Sequence, residues 1–351
     1  MGLSLKKFTI FPKRKLLADE IQLRFLKRLS RLLENGYPLI EALEIIQWDQ
    51  KLAPLSEQII NLLKSGDTID QAFDKTKFHP DITSYLFFVR ANGDLDASIQ
   101  KCAVIYEQRS NYLKKFKQTM RYPLILLSIF LILLLFLRHT VLPSFIDIFQ
   151  MSDESSSTIL FSIYIIEWIY KLLLSTIALL FAGSMLWKFI RKQLSMEEKI
   201  KVYNLIPVYR QYLKLKTSFL FATHMSTLIK TGMPIKEILT ILGKQEKLPI
   251  LSYYTQQMSD ELSKGVYITS LLSHLTFIDS QLASIFQKNV DSDSLEKDLT
   301  IYADYITEEL HRKMLKIIAM VQPIFFMILA GFIIFIYVTL MWPMFQLIRT
   351  I

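Results

Sequence analysis

The chain has 351 residues, of which 52% are hydrophobic and 21% are charged. This apolar fraction excludes a disordered chain, and the charged fraction implies that the excess of apolar residues is confined to a few segments. A single cysteine, Cys102, excludes an intrachain disulfide and a site built from several cysteines. The net charge of +9 is compatible with nucleic-acid binding, with binding to an anionic membrane surface, or with the charge asymmetry of a membrane protein. The positions of the charges along the chain distinguish between these three explanations.

A basic arm at residues 1–17 precedes the first region with helical periodicity, 18–121. Apolar residues recur at helical spacing until Asn35-Gly36 and resume after Pro38. Glycine accepts the left-handed conformation that closes a helix, and proline suits the first turn of the next one. Gly36 and Pro38 therefore predict a tight helix–turn–helix, which is a structural turn and a candidate hinge.

Three apolar segments follow in chain order, and each is predicted to be a transmembrane helix. They cover residues 122–142, 165–187 and 322–342. Uncharged runs of this length with basic flanks are poor candidates for the core helices of a soluble protein. The first and the third begin near a proline, Pro123 and Pro323, which we expect to set the angle between each span and the domain before it.

The distribution of Lys and Arg predicts the orientation of the three spans. Basic clusters precede the first and third spans and follow the second, whereas residues 143–164 are acidic. The positive-inside rule then places 18–121 and 188–321 in the cytoplasm. The loop or amphipathic helix at 143–164 and the tail at 343–351 are expected outside. The net positive charge is thus explained by topology, and no direct contact with nucleic acid is expected.

The two cytoplasmic regions are predicted to be copies of one unit. At an offset of 196, Phe25, Ser30, Leu32, Gly36, Pro38 and Glu41 recur as Phe221, Ser226, Leu228, Gly232, Pro234 and Glu237. At an offset of 200, Leu95, Ala103, Pro123 and Pro143 recur as Leu295, Ala303, Pro323 and Pro343. A tandem duplication is the simplest explanation. We therefore predict an all-α membrane protein with two homologous antiparallel helical bundles and three transmembrane helices.

No motif for catalysis, cofactor binding or metal binding was found in the sequence. It contains no P-loop, no His-Glu-x-x-His and no Gly-x-Ser-x-Gly elbow. The acidic cluster of Asp291, Asp293, Glu296 and Asp298 has the composition of a hard-cation site, but carboxylates are also favoured in the first turn of a helix. The first-turn interpretation is preferred, and we expect no enzyme activity, no cofactor and no metal.

Taken together, these features resemble the type II secretion F-domain family over residues 18–345. The matching features are the Gly-x-Pro turn of each copy, the segments RYPLILL at 121–127 and VQPIFFM at 321–327, and the span exit VLPSF at 141–145. Members of that family are inner-membrane platform proteins of type II secretion systems, type IV pili and the competence pseudopilus. The composition looks most like the competence branch.

The resemblance also implies partners and one candidate contact region. The family usually carries Gly-Glu and then Gly-x-Leu near the middle of the first copy. Here Gly93 and Leu95 fit the second element, Asp94 lies between them, and the Gly-Glu is replaced. The second copy has no glycine at the equivalent place. The implied partners are a cytoplasmic hexameric assembly ATPase, prepilin-like subunits, membrane lipids and further copies of the chain.

Two functional classes other than a platform are an oligomeric channel or transporter and a membrane-bound enzyme. An oligomeric channel or transporter remains an alternative, although the predicted spans lack the buried carboxylates that a proton-coupled transporter would be expected to carry. A platform for type II secretion or for a type IV pilus outside competence is the alternative within the family. A membrane-bound enzyme would need a catalytic constellation that the sequence does not show.

Overall fold

The computed structural model describes residues 16–89, 93–136, 193–289 and 291–350, with short pieces between residues 139 and 191. In this part of the chain every regular element is helical, which confirms the predicted all-α class. Two predicted segments lie largely outside the described residues, the basic arm at 1–17 and the loop at 143–164, and the second span at 165–187 lies partly outside them.

Six helices of the first copy lie within the described residues. They are α1 (Asp19–Glu34), α2 (Leu39–Ile46), α3 (Ala53–Lys64), α4 (Ile69–Lys75), α5 (Pro80–Leu86) and α6 (Leu95–Phe136). The first five are short and amphipathic, whereas α6 continues from the bundle into the first predicted span without an interruption.

The second copy repeats this order after one additional helix, α7 (Met196–Leu205). Its helices are α8 (Pro207–Ile229), α9 (Ile235–Gly243), α10 (Pro249–Ser263), α11 (Ile268–His274), α12 (Ser280–Lys288) and α13 (Ser292–Thr350). The helix starts of α2 and α9, and of α3 and α10, differ by the 196 residues that the sequence repeat predicts. Those of α5 and α12 differ by 200, as the sequence repeat also predicts.

Equivalent residues form the two bundle cores. Phe25 and Phe221 are both completely buried, as are Leu43 and Leu239. Further buried pairs at offsets of 196 to 200 are Leu52 with Leu248, Phe78 with Phe277, Ile82 with Leu282 and Ile99 with Leu299. Because burial of each such side chain contributes about 1.5–3 kcal/mol, the repeated apolar positions account for the repeated fold.

A buried polar contact is also repeated. In the first copy the backbone N–H of His79, before α5, donates to Oε1 of Gln22 on α1 at 2.8 Å. In the second copy the N–H of Asp279, before α12, donates to Oγ of Ser218 on α8 at 2.8 Å. Since an unpaired buried N–H is costly, each bundle fixes the start of its fifth helix through its first helix.

The Gly-x-Pro turns have the backbone that the sequence predicts at glycine. Gly36 has φ +83° and Gly232 has φ +80°, and each closes the preceding helix by donating its N–H to a carbonyl three residues earlier. Pro38 and Pro234 each lie one residue before the next helix, with extended ψ values of 149° and 143°. The prediction that they occupy the first helical turn was therefore wrong by one position.

The chain divides into two compact units. The first contains residues 1–111 and 203–310, so that both copies of the helical bundle belong to one unit. The second contains residues 112–202 and 311–351, which include the apolar parts of α6 and α13.

In the second unit α6 and α13 run parallel and in contact. Tyr112 Oη lies 2.7 Å from Nδ1 of His311, and further along the ring centroids of Tyr122 and Phe326 are 5.6 Å apart. Phe130 and Phe332 follow at 6.2 Å. Contact positions therefore advance in the same direction along both helices, as expected for the last helices of two tandem copies.

Two of the described helices, α6 and α13, are long and apolar enough to cross a membrane. They contain the first and third predicted spans. Pro123 and Pro323 lie inside them, so neither proline ends its helix. Two of the three predicted spans are therefore found among the described residues, and the second span, at 165–187, lies partly outside them.

Candidate functional site between the two copies

A carboxylate of the first copy is held by cations from two other helices. Asp81 lies in the first turn of α5 and accepts a hydrogen bond from Nζ of Lys216, on α8 of the second copy, at 3.2 Å. Its other oxygen accepts from Nη1 of Arg109, on α6, at 3.1 Å. This charged cluster joins the first and second copies of the bundle.

The protonation states follow from the surroundings. Burial disfavours the charged form of Asp81, but Lys216, His79 and Arg109 outweigh it and lower the pKa of the carboxyl. Burial disfavours the ammonium of Lys216, yet Tyr212 and Asp81 together raise its pKa. Burial and the Arg109 guanidinium lower the pKa of His79, so this imidazole is neutral near pH 7. The cluster is therefore an ion pair with a neutral histidine beside it.

Hydrogen bonds from the α9–α10 connection extend the contact. Gln245, buried at the end of α9, donates through Nε2 to the carbonyl of Ser84 at 3.1 Å. Nζ of Lys247 donates to Oγ1 of Thr83 at 2.9 Å and pairs with Asp74 at 3.1 Å. These bonds bind the second copy to α4 and α5 of the first.

A histidine of the second copy fills the apolar part of the contact. The ring of His224, on α8, lies 3.9 Å from that of Phe88 and 5.0 Å from that of Tyr85. The residue is only 2% exposed, and its Nε2 has no hydrogen-bond partner among the residues that the structure describes. Burial, with a smaller effect of Lys101, lowers the pKa of His224 to about 3. It therefore packs as a neutral aromatic ring.

Contacts of several kinds join the two copies. Ion pairs, hydrogen bonds and tilted ring contacts cross from one copy to the other within one compact unit. Among the described residues, no group of three or more His, Cys, Asp or Glu side chains is placed to hold a metal ion. Asp291 caps α13 by accepting hydrogen bonds from the N–H groups of Asp293 and Ser294.

The residues that the sequence singled out lie elsewhere. Gly36 and Pro38 form one turn, and Gly232 and Pro234 form the equivalent turn of the second copy. Gly93 has φ +69° and precedes α6, whose first turn is capped by Oδ1 of Asp94, which accepts from the N–H of Ala97 at 3.0 Å. Leu95 is half-buried. The structure does not bring these turns and Gly93-Asp94-Leu95 together into one site.

The repeat-matched prolines have different surroundings. Pro123 is buried on α6, whereas Pro323 is exposed on α13. Pro143 is an exposed helical residue beyond α6, and Pro343 lies within the last turns of α13. The repeated residues in the sequence did not indicate Asp81, Lys216 or His224, none of which recurs in the other copy.

The membrane part presents a broad apolar surface. Large exposed side chains on α6 and α13 include Leu124, Ile125, Ile129, Ile132, Met327, Ile328, Ile334 and Tyr337. An apolar surface of this extent is costly in water and is typical of helices that face lipid or other apolar helices.

Fold and contacts define a class: proteins with two coupled helical bundles, each continuing into a long apolar helix. The particular family is shown by comparison with known proteins. The family described as "Type II secretion system (T2SS), protein F" matches residues 25–143 and 221–343, which are the two copies. The chain belongs to this family, and the resemblance noted in its sequence is confirmed.

The chain is also similar to several named proteins over most of its length. ComG operon protein 2 of Bacillus subtilis is 24% identical over 322 residues, covering 90% of this chain and 98% of that protein. The ComG operon protein 2 homolog of Halalkalibacterium halodurans is 26% identical and covers 91% and 100%. The type IV pilus assembly protein PilC of Myxococcus xanthus is 21% identical and covers 88% and 75%.

Proposed function

We propose that this chain is a non-enzymatic membrane platform for the assembly of a competence pseudopilus, and so serves DNA uptake. The observation that carries this proposal is the similarity to ComG operon protein 2 over nearly the full length of both proteins. The duplicated bundle and the two long apolar helices agree with it, because the whole architecture, and not one segment, is shared.

The proposal includes a topology. Both bundles lie in the cytoplasm, the N-terminus is cytoplasmic and the C-terminus is extracytoplasmic. The parallel course of α6 and α13 supports this, because parallel spans need a third crossing between them. The segment 165–187 supplies that crossing, and the basic clusters at the ends of the spans favour this orientation.

One proposed partner lies in the cytoplasm and the other lies in the membrane. The coupled bundles engage a cytoplasmic hexameric assembly ATPase, and α6 and α13 engage the apolar helix of a prepilin-like subunit. Extraction of such a helix from lipid is costly unless another apolar surface receives it. The interface around Asp81 and Lys216 then has a mechanical role: displacement of one bundle is transmitted to the other.

A platform for a type IV pilus outside competence is the second candidate. It is favoured by the similarity to the PilC protein of Myxococcus xanthus, which is called a type IV pilus assembly protein. The lower coverage of that protein, 75% against 98%, is the reason for preferring the competence pseudopilus.

Deletion and complementation in the source organism separate the two candidates. We expect the deletion strain to lose both the pseudopilus and transformation by added DNA, with both restored by the wild-type gene. Loss of a surface pilus and of motility or adhesion, with normal transformation, would favour the second candidate. Normal pili and normal transformation would overturn the platform proposal.

A further inference from the structure

One face of the second copy packs against the first copy of the same chain. His224 on α8, with Gln245 and Lys247 on the α9–α10 connection, contacts α5 and its neighbours in the first copy. We call this surface the clasp face of the second copy. It is a groove between the first helix of a bundle and the connection between its second and third helices.

The first copy has the equivalent face, and there it is exposed. At the offset of 196, His224, Gln245 and Lys247 correspond to Arg28, Asp49 and Lys51. His224 and Gln245 are buried, whereas Arg28 and Lys51 are exposed and Trp48 beside them is 83% exposed. The contact between the copies is therefore asymmetric, or head to tail: the clasp face of the second copy meets α5 of the first. Among the described residues, the clasp face of the first copy is left uncovered.

This uncovered face carries mainly positive charge. Arg24, Arg28 and Arg31 are spaced by four and three residues on α1 and so lie along one side of the helix. Asp49 pairs with Nη1 of Arg28 at 2.8 Å and lies 3.9 Å from that of Arg24, which holds both guanidinium groups over the groove. One carboxylate between several cations leaves an excess of positive charge beside an exposed indole.

A second copy of the chain does not fit this face in the same way. The surface that would have to enter is α12, the equivalent of α5. At the offset of 200, Phe88 corresponds to Lys288 and Thr83 to Ala283. Lys288 would then meet Arg28, and Lys51 would lose its hydroxyl partner. Juxtaposed like charges oppose association, so head-to-tail growth of the chain by this contact is disfavoured.

We propose that the clasp face of the first copy is a docking site for a separate protein, which presents a helix or segment rich in Asp and Glu with an apolar residue for Trp48. A protein is favoured over a lipid headgroup because the equivalent face of the same chain holds a helix. Arginine binds carboxylates through two parallel hydrogen bonds, and Asp49 already orients two of the three guanidinium groups. The proposal rests on this geometry and holds whichever machine the chain serves.

Site-specific photo-crosslinking in cells tests the site. The full-length chain carries p-benzoylphenylalanine in place of Trp48, and the matched control carries it in place of Tyr267, which is equally exposed on the second copy. Adducts are identified by mass spectrometry to the crosslinked peptide. We expect position 48 alone to give an adduct with another protein, through a peptide with a clear excess of Asp and Glu.

Charge variants in the same background test the chemistry. Arg28→Glu with Arg31→Glu is expected to reduce the yield of the adduct at least roughly tenfold, because two attractive contacts become repulsive. Arg28→Lys with Arg31→Lys retains the charge and is expected to preserve most of the yield. Both pairs are on the solvent side of α1, and equal amounts of folded protein are verified by thermal unfolding.

Each of the other outcomes overturns the proposal. Adducts with lipid only would assign the face to the membrane surface, and adducts with a second copy only would assign it to self-association. No adduct, an adduct through a peptide without acidic excess, or a yield unchanged by charge reversal would each exclude an acidic protein segment as the occupant.

Discussion

Nζ of Lys216, in the second copy of the bundle, donates a hydrogen bond to the carboxylate of Asp81, in the first copy, across 3.2 Å. Both side chains are about one-third exposed, and Arg109 shares the carboxylate. A partly buried charge is stabilised by its ionic partner, because removal of that partner leaves the charge poorly solvated. This pair is therefore a sensitive reporter of the contact between the copies.

Lys216→Met tests that contact. We expect it to destabilise the chain by about 1–3 kcal/mol, because Asp81 keeps Arg109 but loses its second cation. Thermal unfolding in detergent measures the change as a lower Tm. The control is Lys201→Met, which breaks an exposed i,i+4 pair with Glu197 and should cost less than about 0.5 kcal/mol. Equal effects of the two substitutions would contradict a structural role for Lys216.

His224 gives the stability a defined pH dependence. The unfolded chain binds a proton at this residue below about pH 6.5, but the folded chain binds it only near a pKa of about 3. Stability therefore falls as the pH is lowered from 6.5, by up to about 1.4 kcal/mol per pH unit. We expect Tm to decrease between pH 7.5 and pH 5, and His224→Phe to make the decrease smaller.

His79 and Asp81 also contribute to the pH dependence of stability, in different pH ranges. The lowered pKa of His79 acts in the same direction, so part of the slope should remain in His224→Phe. Asp81 has a pKa below its ordinary 3.8, so its contribution is present above that pH and is lost only at lower pH. Substitution of the exposed His274 by Asn is the control. An unchanged slope in His224→Phe would show that this imidazole is not buried in the neutral form.

The turn glycines are expected to be intolerant of a Cβ for conformational reasons alone. No atom of the described residues lies within 4 Å of the position that a Cβ would take at Gly36, but its φ of +83° disfavours other residues. Gly36→Ala should cost about 1–2 kcal/mol, and Gly36→Asn less, because asparagine tolerates this region. Thermal unfolding compares the two. An equal cost for both would place the strain elsewhere.

The hinge prediction requires both copies to be changed. Gly36→Leu with Gly232→Leu should abolish pilus formation or DNA uptake while membrane insertion stays intact. Insertion is measured by membrane fractionation, and uptake by transformation frequency. Normal piliation in a well-expressed double variant would contradict a hinge role for these turns.

Loss of the contact before the fifth helix should lower the stability of the first copy more than that of the second. Gln22 joins two backbone groups, because it accepts from the N–H of His79 and donates to the carbonyl of Leu17 at 2.7 Å. Among the described residues, the backbone bond of Ser218 is the one from the N–H of Asp279. Gln22→Leu should therefore cost about 2–4 kcal/mol and Ser218→Ala about 1–2 kcal/mol. Urea unfolding followed by tryptophan fluorescence compares them. The reverse order would show that the two contacts are not equivalent.

The duplicated fold could be predicted from the sequence because its determinants are local. The spacing of apolar residues such as Phe25 and Leu29, and the glycine at which it stops, specify helices and turns without long-range information. The offsets of 196 and 200 then recur in the helix boundaries. The position of Pro38 was wrong by one residue, because proline fits both the residue before a helix and its first turn.

The contact between the copies could not be predicted in this way. Asp81 and Lys216 are 135 positions apart, and neither belongs to a motif. His224 resembles any histidine on an amphipathic helix, and its burial depends on Phe88 of the other copy. The asymmetry of the head-to-tail contact becomes visible only when equivalent positions of the two copies are compared in the structure.

The most direct test of the platform proposal is crosslinking of the wild-type chain in its own membrane, followed by affinity capture and mass spectrometry. We expect capture of a secretion-type ATPase, crosslinked to residues 18–121 or 188–316, and of small prepilin-like proteins crosslinked to the spans. Capture of the chain alone, or of a solute-binding protein with neither of these partners, would contradict the platform and favour the channel or transporter.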